Sequence, residues 1–198
     1  MKIAANIFIV FAIAILSYLI LSESKIELPP GQWAPDQPYQ KNLTDNRGWI
    51  KEGYLITALA EFKLEAKILS MERYYFDSPS TVSPIDLALG WGALSDQSIV
   101  DKINVRQGRR WYWWDANPLP LPKNVISDNT SNMHIIPADD TVESTLDEIS
   151  TGNIIGIEGY LVRVTGPDGF VWSSSLSRTD RGDGACEIVY VTLLNILK

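Results

Sequence analysis

The chain has 198 residues, with 17 basic and 24 acidic side chains, one His and one Cys. Outside residues 1–25, which hold Lys2, Glu23 and Lys25, it carries 15 basic and 23 acidic side chains, a net charge of −8. That disfavours nucleic acid and anionic lipid surfaces, which bind chiefly through Lys and Arg, and the lone Cys186 excludes an intrachain disulfide.

Met1 and Lys2 precede an apolar run, 3–21, interrupted only by Asn6 and Ser17. As a helix rising about 1.5 Å per residue, those 19 residues match a hydrocarbon core of about 30 Å. An uncleaved signal anchor, a single transmembrane helix over 1–25, is favoured over a cleaved signal peptide. The run exceeds the usual apolar stretch of a signal peptide, and Ser22-Glu23-Ser24 is a poor cleavage site. Lys2 before the run, against Glu23, Lys25 and Glu27 after it, puts the N-terminus in the cytoplasm. The expected location is a membrane, with the C-terminal bulk extracytoplasmic, in a bacterial inner membrane facing the periplasm.

Pro29, Pro30, Pro35 and Pro38 mark 26–50 as a Pro-rich tether. Residues 51–198 then have the size of one domain. Over 54–75, Ala60, Phe62, Leu64, Ala66 and Ile68 alternate with Glu61, Lys63, Glu65 and Lys67. That pattern predicts a half-buried strand, against a competing helical spacing of Leu55, Leu59, Phe62, Ala66 and Leu69. Ser83-Pro84-Ile85-Asp86 reads as an N-cap with Pro at the first helical position, opening a short helix that ends by Gly90. Ser95-Asp96 opens another helix, to about Asn104.

The aromatic segment 110–115 reads as a strand, and the prolines of 117–122 as a rigid connector. Asp139 or Asp140 caps a helix over 138–150 that Gly152 closes. Next come a strand over 154–164, a turn at Gly166-Pro167-Asp168-Gly169 and a returning strand at 170–172, which together form a hairpin. Residues 186–194 are apolar on both faces and predict a central strand. The fold class expected is α+β: an N-terminal transmembrane helix followed by a mixed, β-rich domain around a small, partly closed barrel or strongly bent sheet. OB-like or SH3-like topologies enter as analogies only.

The strings at 83–92 (SPIDLALGWG), 132–137 (NMHIIP), 173–180 (SSSLSRTD) and 184–187 (GACE) look like those of uncharacterised bacterial membrane-anchored envelope proteins. The resemblance covers about 55–192. It implies an envelope protein and assigns no chemistry.

A thiol nucleophile is the one catalytic set the residues offer. Cys186 and His134 are each the sole residue of their type, with Glu187 available to orient the imidazole. The order of anchor, β-rich body, His and late Cys is similar to that of sortase transpeptidases. However, no Thr-Leu-x-Thr-Cys stretch precedes Cys186 and no Arg follows it. Burial of Cys186 as a small apolar side chain competes with that reading.

Binding candidates are Trp111, Trp113 and Trp114, beside the Arg109-Arg110 doublet, and the charged loop with Arg178, Asp180 and Asp183. The tryptophans could stack on single-stranded bases, but no basic groove surrounds them. Asp180, Asp183 and Glu187 lack the spacing of a calcium loop. No Walker loop, dinucleotide fingerprint or zinc motif occurs, so neither cofactor nor metal is expected. The expected function is a membrane-tethered extracytoplasmic binding or assembly protein of the cell envelope, without catalysis. The rival is a cysteine transpeptidase or hydrolase using Cys186 and His134.

Overall fold

The structure, a computed structural model, describes residues 25–45, 47–76, 78–177, 180, 182 and 185–198. The segment 3–21, expected to span a membrane, lies outside them, as do Arg178 and Asp183. Among the described residues no helix is long and apolar enough to cross a membrane.

Strands dominate, with a few short helices. In chain order they are β1 (Tyr39–Asn42), β2 (Gly48–Lys51), β3 (Tyr54–Arg73), β4 (Ile85–Gly90), α1 (Gln97–Val100), β5 (Asn104–Gly108), β6 (Trp111–Asp115), α2 (Lys123–Asp128), β7 (Thr130–Pro137), α3 (Asp140–Glu148), β8 (Ile154–Thr165), β9 (Val171–Ser173) and β10 (Glu187–Ile196).

The alternation read over 54–75 does produce a strand, because β3 has partners on both edges: β8 from Leu55 to Lys67, then β4 from Lys67 to Arg73. Ala60, Phe62, Leu64, Ala66 and Ile68 all turn into the main apolar cluster. On the opposite face Lys63 Nζ lies 2.7 Å from Glu158 Oε2, its register partner on β8. Helical spacing loses here, since a helix would leave the edges of β4 and β8 without this neighbour.

The pairings run β3 to β4, β4 to β7, β7 to β10, β10 to β8, and β8 back to β3, with only β7 and β10 parallel. Register shifts at 58/60 and 68/70 of β3 and at 191/193 of β10 supply the curvature, as β-bulges do. Gly159 allows a close approach of β8 to β10: a Cβ there would stand 2.0 Å from the Tyr190 carbonyl oxygen. The sheet is partly ringed and is not a barrel, which meets the expectation of a bent, β-rich mixed domain at that coarser level. Met133, Ile135, Ile157, Val189 and Val191 fill its inside, and α3 packs Val142 and Leu146 into the same cluster.

Several local expectations are corrected. Residues 85–90 form strand β4, not a helix, and all six residues are buried. Ile85, Leu87 and Leu89 face the main cluster, and pairing with β3 and β7 on both edges overrides the capping signal at Ser83-Pro84. The helix opened by Asp96, whose side chain accepts from Ser98 N at 2.9 Å, lasts one turn before the chain extends into β5. Residues 26–50 are more than a tether: they supply β1 and β2, and Ala34 is wholly buried.

The helix over 138–150 forms as α3, with Asp139 accepting from Thr141 N and Val142 N at 3.0 Å each. The β8–β9 hairpin and a central β10 also form as expected.

Candidate functional site

Apart from the ringed sheet, β5 and β6 make a two-stranded hairpin. Its turn residues Arg109 and Arg110 have φ of 53° and 68°, the left-handed pair that a two-residue hairpin turn demands. This strained turn delivers Arg110 to the outer face of β4 and β7. Asp86 and His134 are register partners on those two strands, so their side chains share that face.

There His134 Nδ1 lies 2.8 Å from Asp86 Oδ1, and Arg110 Nη1 lies 3.0 Å from the same oxygen. Arg110 Nη1 also donates to the Ser83 carbonyl at 2.9 Å. Its guanidinium stacks 3.8 Å from the centroid of the Tyr74 ring, and its backbone N–H donates to Tyr74 Oη at 2.9 Å. Asn132, next but one to His134 on β7, donates to Asp86 Oδ2 at 3.5 Å and accepts from Gln107 Nε2 at 2.7 Å.

Asp86 is wholly buried and His134 nearly so, and a buried charge survives only when paired and hydrogen-bonded. Burial first, and the Asp86 carboxylate second, push the Tyr74 phenol up to about 12. A carboxylate partner makes Nδ1 a nitrogen that carries a proton and donates it to Asp86, and leaves Nε2 without a bond to that carboxylate. Trp172 lies against the ring, 4.5 Å between centroids.

Arg110 and His134 of this network line a cleft of about 310 Å³ together with Trp111, Phe170, Trp172, Ser173 and Cys186. That volume is in the range of small-molecule sites. A second cavity, of about 130 Å³, shares Trp111 and Cys186 with it and includes Asp180 and Glu187. Glu187, itself buried, hydrogen-bonds with Ser131 Oγ.

The residues singled out from sequence are therefore divided. Cys186 and His134 line one cleft, and Asp86, not Glu187, orients the imidazole. Cys186 is part-buried, and burial together with the adjacent Glu187 carboxylate pushes its thiol up to about 11. Among the described residues no hydrogen bond joins it to His134. Trp111 lines both cavities. Trp113 is half exposed and lines neither, while Trp114 packs inward with Leu94, Ile103 and Ile126. Asp180 accepts from Ser175 Oγ at 2.6 Å.

Sequence reasoning missed Asp86, Asn132, Tyr74 and Trp172. A carboxylate inside the apolar string Ile85-Asp86-Leu87-Ala88-Leu89 was the available signal, once that string is read as a strand buried on both faces. Among the described residues no group of three or more His, Cys, Asp or Glu is placed to hold a metal ion. Comparison with protein-family models, with curated proteins and with solved structures finds no match to the chain.

Proposed function

We propose that this protein is a single-pass, membrane-tethered extracytoplasmic domain that acts by binding a component of the cell envelope, and that it takes this ligand in the cleft over Asp86, His134 and Arg110. The observation that carries the reading is the buried Arg110–Asp86–His134 network lying under an open, aromatic-walled cleft. Such a network adds little to stability compared with apolar packing of the same volume, whereas a few fixed polar groups in a largely apolar pocket are what recognition needs. The apolar run 3–21 supports the tether, by its length.

The strand order supports the choice of face. We read the partly ringed β3–β4–β7–β10–β8 sheet, with α3 between β7 and β8, as an OB-like arrangement. β4 and β7 are then its second and third strands, the face on which such folds carry ligands, together with loops equivalent to those before β4 and after β8. Pro79, His134, Phe170 and Trp172 come from those places. This remains a fold-level analogy and assigns no activity by itself.

The test is site-specific photo-crosslinking in intact cells, with a photoreactive amino acid at position 111 and, as a control, at position 113. Position 111 is expected to capture an adduct that position 113 does not. Identical capture profiles would remove the cleft as the binding surface.

One observation favours the second reading, a cysteine transpeptidase or hydrolase: Cys186 and His134 share the cleft, with Asp86 behind the imidazole. The raised thiol counts against it, because the thiolate is the nucleophile. Iodoacetamide alkylation of Cys186 separates the two. With a thiol near 11 instead of 9.0, the rate at pH 8 should be on the order of 100-fold below that of an ordinary cysteine and still rising above pH 9. A plateau near neutral pH would reinstate the enzyme.

A further inference from the structure

We infer that the ligand of this cleft is a neutral oligosaccharide, with one sugar ring against Trp111 and Trp172, a hydroxyl on His134 Nε2, and the chain passing Cys186 into the second cavity. The inference rests on the cleft being a ligand site, as proposed above.

Charge selects first. The Arg110 guanidinium is already opposed by Asp86 at 3.0 Å, and the second cavity presents the carboxylates of Asp180 and Glu187. The body is acidic as a whole, so an anionic ligand gains no attraction here.

Polarity selects next. A wholly apolar ligand would cover the outer imidazole nitrogen of His134 without giving it a partner, which is unfavourable. A pyranose ring meets both demands. Its C–H faces pack on the electron-rich faces of aromatic rings, and its hydroxyls can either donate to or accept from the outer imidazole nitrogen.

Shape selects last. Trp111 and Cys186 line both cavities, so the two lie side by side at that pair. A ligand that reaches both has at least two linked units, which distinguishes a chain from a single sugar.

The experiment uses the full-length protein in a sugar-free zwitterionic detergent and follows tryptophan fluorescence. The probes are tetramers of β-1,4-N-acetylglucosamine, β-1,4-glucose and α-1,4-glucose, with decathymidylate and an uncharged apolar hexapeptide as rivals. At least one tetrasaccharide should bind saturably and more tightly than both rivals. Trp111→Ala should weaken it tenfold or more and Trp113→Ala less than twofold, both with unchanged circular dichroism.

If no tetrasaccharide binds in a Trp111-dependent way, the inference is overturned. Trp111-dependent binding of decathymidylate or of the peptide in place of the sugars would overturn it while leaving the cleft as a ligand site. Equal photo-capture at positions 111 and 113 would instead remove the site reading on which the inference rests.

Discussion

Lys67 occupies a position where an alternating strand places a solvated charge, yet its side chain is wholly buried and its Nζ has no hydrogen-bond partner among the described residues. The cause lies in β3: at Lys67 the strand passes from pairing Ile154 of β8 to pairing Gly90 of β4, both fully formed edges. Burial first, and the Lys25 charge second, hold the ammonium below its ordinary range. Lys67→Met keeps the stem and removes the charge. It should raise unfolding stability by about 1–3 kcal/mol, the cost of an unsatisfied buried polar group, as read from the urea midpoint. Because the folded lysine loses its proton before the unfolded one, the wild type gains stability as pH rises toward 10.5, so the variant's advantage should shrink there. A variant that unfolds more easily at pH 7 would show that the ammonium has a stabilising partner.

The same residue marks a limit of sequence reading. Alternation correctly placed Phe62 and Ile68 inside, but it could not reveal that the polar face of β3 changes neighbours along its length. Asp86 failed for the opposite reason: a local capping pattern was legible, while the two strands that claimed 85–90 lay far away in the chain.

Among elements, the β5–β6 hairpin sets the position of Arg110. Neither turn residue is glycine, although both have positive φ, so the turn carries backbone strain. Arg109 is exposed, and its side chain does not line the cleft. Arg109→Gly should therefore relieve that strain and stabilise the protein by about 1 kcal/mol. Thermal unfolding is the measurement, and a lowered midpoint would mean that the Arg109 side chain supports the turn. Strand β6 was legible from its aromatic run. β5 was not, because Asn104-Val105-Arg106-Gln107-Gly108 has no strong period, and its pairing with β6 supplies what propensity lacks. β7 likewise went unassigned, since a strand buried on every residue gives no alternation to read.

At the scale of the whole molecule, residues 26–34 form a strap bound to the domain. Ile26 N donates to Thr151 O at 2.7 Å, Leu28 N to Gln97 Oε1 at 3.3 Å, and Ala34 N to Ser95 Oγ at 3.1 Å. Gly152, at φ +98°, lets the strap approach: a Cβ there would stand 1.9 Å from the Ile26 carbonyl oxygen. Gly152→Ala should cost about 2 kcal/mol or more through that clash and the unfavourable φ. It should also hasten proteolysis within 25–34. Unchanged cleavage would show that the strap is not held there.

The prolines that suggest a tether fall on irregular chain ahead of β1, but proline content says nothing about whether such chain is docked.

That docking has a mechanical consequence. For the proposed span ending at Leu21, only residues 22–25 separate it from the first strap hydrogen bond at Ile26, a reach of at most about 17 Å even when fully stretched. The domain is then mounted close against the bilayer, not swung on a line some 25 residues long. With that span in place, a ligand of the cleft would be met in the layer next to the membrane, and would have to be made there or threaded through it.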